Sequence, residues 1–72
     1  MNYKDWTING LPVSVGYEID FDKHFNYHFC RFKHIWKILP DEKGKTVKVD
    51  ILSIVGKDDL YDIQAEIEGS LN

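Results

Sequence analysis

The 72-residue chain has one cysteine, one methionine, two prolines and no long hydrophobic run, and each scarcity closes a class of function. A single Cys cannot form an intrachain disulfide, which excludes the disulfide-stapled miniprotein and points to a reducing compartment. No apolar run approaches the roughly 20 residues needed to cross a bilayer. The opening MNYKDWTING lacks the basic-then-apolar profile of a secretory leader. Internal repeats, low-complexity tracts, linkers and glycine-rich phosphate loops are also absent. Residues 1–72 therefore make one small domain. A chain of this size buries only about 60% of the surface it exposes when unfolded, which leaves no room for a cofactor fold or a deep cleft.

What is present is aromatic and charged. Aromatic residues are 14% of the chain, and nine Lys/Arg face twelve Asp/Glu for a net charge of −3. A mildly acidic whole argues against general nucleic-acid coating, which needs clustered cations to release counterions. The charge is nevertheless segregated. Lys23 to Lys37 carries four cations, three histidines and no acid, whereas Thr46 to Asn72 carries six acids and two lysines. Mutual neutralisation of the two halves is the plain reading of that asymmetry.

Turn chemistry and periodicity organise the chain. Asn9-Gly10, after the β-prone Trp6-Thr7-Ile8, is a two-residue hairpin signal, because both residue types tolerate positive φ. From Val13 the pattern alternates, with Val13, Val15, Tyr17, Ile19 and Phe21 on one face and Ser14, Glu18, Asp20 and Asp22 on the other. Pro40 to Gly44 has turn composition. Thr46 to Val55 reads as a strand whose apolar phase switches at Ile51-Leu52, which suggests a bulge there or a stretch covered on both faces. Gly56 breaks it, and Lys57-Asp58-Asp59 opens a helix with acids at its positive end. Leu60, Ile63, Ile67 and Leu71 form the apolar stripe of that helix, Asp62, Gln64, Glu66 and Glu68 face water, and Gly69 ends it.

Lys23 to Leu39 is the ambiguous stretch. At a period of 3.6, Phe21, Phe25, Phe29, Phe32, Trp36 and Leu39 share an arc, Asp22 can cap and Pro40 can stop a helix over 22–39. At a period of two, Phe25, Tyr27 and Phe29 alternate, and a one-residue slip then puts Cys30, Phe32, Trp36 and Ile38 on the other phase. Composition favours the strand, since β-prone residues dominate and Ala, Glu and Gln are missing. The turn before Thr46 also invites Ile35–Leu39 to pair with Thr46–Asp50. The expected architecture is α+β: an antiparallel meander of strands near 5–9, 12–21, 27–38 and 46–55, with helix 58–69 packed on one face. A helix over 22–39 is the alternative.

Four groups of residues could carry chemistry. His24, His28, Cys30 and His34 have the residue types of a zinc set, but along a strand His24 and His34 stand about 33 Å apart, and on a helix they split into two pairs on different sides. No metal is expected. Cys30 beside His28 or His34 has the types of a nucleophile and base, yet nothing supplies an oxyanion site, and Ser14 and Ser53 lack a nucleophile-elbow context. Asp20 and Asp22 read as solubilising acids on an exposed face. The third group, Phe25 to Lys37, interleaves rings with cations, as single-stranded nucleic-acid sites and protein interfaces both do. Phe29, Phe32 and Trp36 are expected to fill the core, and Tyr27, Arg31, Lys33 and Lys37 to face outward. Tyr27, Arg31, Lys33, Trp36 and Lys37 form the candidate binding patch. The acidic C-terminal helix is the fourth group, a solvated face whose charge is too sparse to imitate a nucleic-acid backbone.

Ile8-Asn9-Gly10 followed by the alternating Val13 to Phe21, together with Val49 to Gly56 running into Asp58-Asp59-Leu60-Tyr61-Asp62-Ile63, resembles a family of small phage-encoded accessory proteins of largely unassigned role. The chain departs from them in the middle, where they tend to carry a Pro/Gly/Tyr-rich loop. The resemblance implies a protein acting by binding in the host cytoplasm and offers no active-site residues to carry over. The sequence therefore points to a non-catalytic binding protein without cofactor or membrane partner. Its expected partner is a host protein, with weak single-stranded nucleic-acid binding and a small Cys-dependent enzyme as alternatives. Exposed edges also leave a homodimer open.

Overall fold

Asn9 and Gly10 both adopt positive φ, 52° and 80°, and turn the chain back tightly. In the computed structural model, which describes residues 1–71, they join β1 (Asn2–Ile8) to β2 (Leu11–Asp22) in an antiparallel ladder from Ile8↔Leu11 to Asn2↔Tyr17. The next two turns are each built on one aspartate. Asp22 Oδ1 accepts the amides of His24 (2.9 Å) and Phe25 (3.4 Å), and the chain returns as β3 (Tyr27–Pro40). Asp41 Oδ1 accepts those of Lys43 (2.9 Å) and Lys45 (2.6 Å) before β4 (Thr46–Asp50). The sheet is a four-stranded meander in the order β1-β2-β3-β4, and α1 (Lys57–Leu71) closes the chain, giving an α+β fold. The stretch that could have been helix is the long strand β3. Ladders with β2 on one side and β4 on the other satisfy its backbone in the sheet.

One irregularity decides which residues of β3 reach the core. Gly16 pairs with His34 and Tyr17 with Phe32, so Lys33 is an extra residue, a bulge that switches the phase of the strand. Cys30 and Phe32 before it and Ile35 after it all face α1, while Trp36 and Ile38 fall on the opposite face. The bulge thus lies at Lys33, and not at Ile51-Leu52 where the sequence placed one. Gly16 marks the spot, because a Cβ there would meet Met1 Sδ and the Tyr3 ring, each at 3.3 Å.

The last strand stops at Asp50, five residues short of the expected end at 55. Asp50 Oδ1 accepts the amides of Leu52 (3.0 Å) and Ile35 (3.3 Å), and Ile51 N–H reaches Ile35 O at 2.8 Å. With its own carboxylate supplying the acceptors, the chain leaves the sheet and makes a 3₁₀ turn over Leu52–Ile54. The closing helix runs past Gly69, where Ser70 Oγ donates to Ile67 O (2.8 Å), to Leu71.

Ile8, Val13, Val15, Cys30, Ile35, Ile63 and Ile67 form the buried core, with Trp6, Tyr17, Phe32 and Leu60 packed against it. Fifteen helical residues span about 22 Å at 1.5 Å each, on a molecule 50 Å long and 23 by 20 Å across. Among the described residues no helix is long and apolar enough to cross a membrane. Ile35 is fully buried and Phe25 lies in open solvent. Ile35→Ala should therefore cost about 3 kcal/mol by urea unfolding, while Phe25→Ala should leave the midpoint nearly unmoved.

Candidate binding surface

The five residues of the expected patch do not meet. Tyr27 starts β3 and hydrogen-bonds the Glu68 carboxylate near the C-terminal end of α1. Arg31 and Lys33 lie on the helix-free face and are already paired. Arg31 bridges Asp20 and Glu18 (3.6 Å to the latter), and Lys33 reaches Glu18 at 3.6 Å. Trp36 is not in the core. It sits half-buried on that same face, with the Lys48 ammonium 5.1 Å from its ring centroid and the His34 ring edge-on at 5.3 Å. Lys37, one residue on, points to the opposite, helix-bearing face. Strand alternation and the bulge therefore break a patch that is contiguous only in sequence.

Glu68 differs most from its sequence expectation. It is buried, at 5% exposure, because Tyr27 and Cys30 converge on its carboxylate, with Cys30 Sγ 3.8 Å from Oε2. Burial and then the neighbouring Glu68 charge push the Cys30 thiol up to about 11. The same carboxylate, by accepting the phenol hydrogen, holds Tyr27 above its ordinary value. A thiol so placed is almost wholly protonated at neutral pH and makes a poor nucleophile. His34 is across the sheet on Asp50, and His28 lies against the Phe21 ring at 4.8 Å between centroids. Among the described residues no three His, Cys, Asp or Glu side chains converge on a point where one ion could bind.

The uncovered surface lies instead where α1 begins. The helix runs antiparallel to β3, with its C-terminal end over Cys30 and its start beside Val13 and Lys37, so it leaves the sheet end beyond Lys37 bare. There Ile8, Leu11, Val13, Ile51, Ile54 and Val55 line a shallow pocket of about 260 Å³, with Lys37 and Asp59 as its charged members. That volume falls below the roughly 300–1,000 Å³ typical of small-molecule sites. The register places Val49 beside Lys37 and Val47 beside Leu39 on this same face. Ile8 and Val13 form the buried floor of the patch, while the exposed members Leu11, Leu39, Val47, Val49 and Ile54 run from 40% at Leu39 to 79% at Ile54. Among the described residues Lys37 has no carboxylate within ion-pair distance. The sequence named Lys37 but missed its surroundings. The hint was the odd run of apolar residues in 47–54, which reads from the sequence as a bulged strand or one covered on both faces.

No protein-family model matches the chain, and no curated protein or solved structure is detectably similar to it.

Two measurements test this electrostatic picture. With its pKa near 11, Cys30 should be alkylated by iodoacetamide at pH 8 roughly a hundredfold more slowly than in the urea-unfolded chain. Hydrogen bonds from His34 (2.9 Å) and then the Leu52 amide hold the Asp50 carboxyl below its ordinary 3.8. A depressed carboxyl stabilises the fold fully above its unfolded pKa, and that contribution is lost as pH falls through the lower folded value. Asp50→Asn should therefore flatten the acid limb of stability, measured by urea unfolding below about pH 5.

Proposed function

We propose that this chain is a non-catalytic protein-binding domain whose contact surface is the bare sheet end around Lys37. One observation carries the reading: the Lys37 ammonium, with no ion-pair partner among the described residues, shares a pocket with Asp59 on the face where Leu11, Leu39, Val47, Val49 and Ile54 are exposed. Clustered exposed apolar side chains on a small monomer mark interaction sites. An unpaired cation within such a cluster adds selectivity for a partner that brings a carboxylate. The buried, protonated thiol supports a role without covalent chemistry. The resemblance to phage accessory proteins makes a host protein in the host cytoplasm the partner class this reading favours. Single-stranded nucleic acid is the weaker reading, since carboxylates already hold Arg31 and Lys33.

Affinity capture from a bacterial lysate tests the proposal. The wild-type chain should retain a specific protein, Lys37→Glu/Ile54→Asp should lose at least about tenfold of it, and Arg31→Ala/Lys33→Ala should retain it as the wild type does. Equal recovery on the wild-type and Lys37/Ile54 baits would sink the assignment. Capture abolished by nuclease or by moderate salt would transfer it to nucleic acid.

A further inference from the structure

We infer that the partner enters as an extended strand of alternating apolar and acidic residues that adds to the free edge of β4; this rests on the protein-binding reading above. The ladder between β3 and β4 has a hydrogen bond fixed at each end, Asp41 N to Lys45 O (2.7 Å) and Ile51 N to Ile35 O (2.8 Å). Antiparallel ladders alternate, so Leu39/Val47 and Lys37/Val49 are the bonded pairs between them. The N–H and C=O groups of Thr46 and Lys48 therefore point away from the sheet, an open template for one more strand.

The two sides of that edge differ in chemistry. All five β4 residues are exposed. Val47 and Val49 stand on the face that carries the apolar patch, and Lys48 stands on the other. Cross-strand neighbours lie about 4.5–5.5 Å apart, so an added strand would set apolar side chains beside the valines and its alternate side chains beside Lys48. Lys43, Lys45 and Lys48 have no ion-pair partner among the described residues. The acids at the two ends of β4 are already engaged, Asp41 by two backbone amides and Asp50 by His34, Ile35 and Leu52. Within β4 itself the one charged side chain not held in a hydrogen bond is Lys48, whose ammonium stands over the Trp36 ring, and it favours an acidic residue opposite it. A second copy of the chain fits less well. The antiparallel register that pairs all five β4 residues with their twofold mates sets Lys48 against Lys48, a repulsive pair.

The test titrates the ¹⁵N-labelled full chain with an acetylated, amidated octapeptide of alternating glutamate and valine. Amide shifts should concentrate at Thr46, Lys48 and Asp50. N-methylation of every second residue should abolish binding in one phase and leave it in the other, because only one set of peptide amides faces β4. The lysine–valine octapeptide should bind at least about tenfold more weakly. Lys48→Pro, which removes an outward N–H in addition to the ammonium that Lys48→Ala removes, should weaken binding by more than Lys48→Ala does. Shifts confined to β1, equal binding of both N-methylated phases, or no shift at millimolar peptide would overturn the inference. So would sedimentation as a dimer whose β4 amides are protected from exchange. If the peptide fails while capture remains dependent on Lys37 and Ile54, strand addition falls and the binding surface stands; if both fail, both fall.

Discussion

The length of one helix governs this molecule. A sheet whose central strands run 12 and 14 residues is far longer than the single helix laid on it, so only its middle can be dry. Val15, Ile35 and Ile63, all fully buried, mark that middle. Away from it apolar side chains emerge into water, at Phe21 and Phe25 toward one pole and at Leu11, Leu39, Val47 and Ile54 toward the other. A core this short cannot hide everything the alternation aims at it. The pole by the start of α1 is the more consequential, since an uncompensated cation and an unpaired strand edge lie there together.

Side-chain carboxylates do much of the work that longer elements do in larger proteins. Asp22, Asp41 and Asp50 each accept main-chain N–H groups where the backbone stops being a ladder, and such groups must find an acceptor when they leave a sheet. Asp50 does so twice while binding His34, and so ties the last strand, the 3₁₀ turn and the middle of β3 into one unit. Glu68 plays a comparable part at the other end of α1, where Tyr27 and Cys30 share its oxygens. The acidic excess of the sequence is thus partly structural.

Local chemistry was legible in the sequence, and long-range consequences were not. The Asn9-Gly10 hairpin, the alternation from Val13, the Pro40–Gly44 turn, the pairing of 35–39 with 46–50 and the closing helix all follow from dihedral preference and periodicity. The limits of the last strand depended on a side chain turning back on its own backbone, which residue type suggests but pattern does not. The candidate site failed for a sharper reason. A run of cations and rings spread along one strand is divided between two faces, and the extra residue at Lys33 shifts the division midway. Gly16, interrupting an otherwise strong strand, was the available signal for that shift. Arg31 and Lys33 looked free because the acids that hold them, Glu18 and Asp20, belong to the neighbouring strand.

That same glycine constrains how the sequence can vary. The Tyr3 ring and the Met1 thioether lie across the backbone at Gly16, within 3.3 Å of where a methyl group would stand. Positions 3 and 16 therefore share one fixed volume. A side chain at 16 would have to push the exposed ends of Met1 and Tyr3 aside, so the bulge and the first strand are coupled through the space these three positions share.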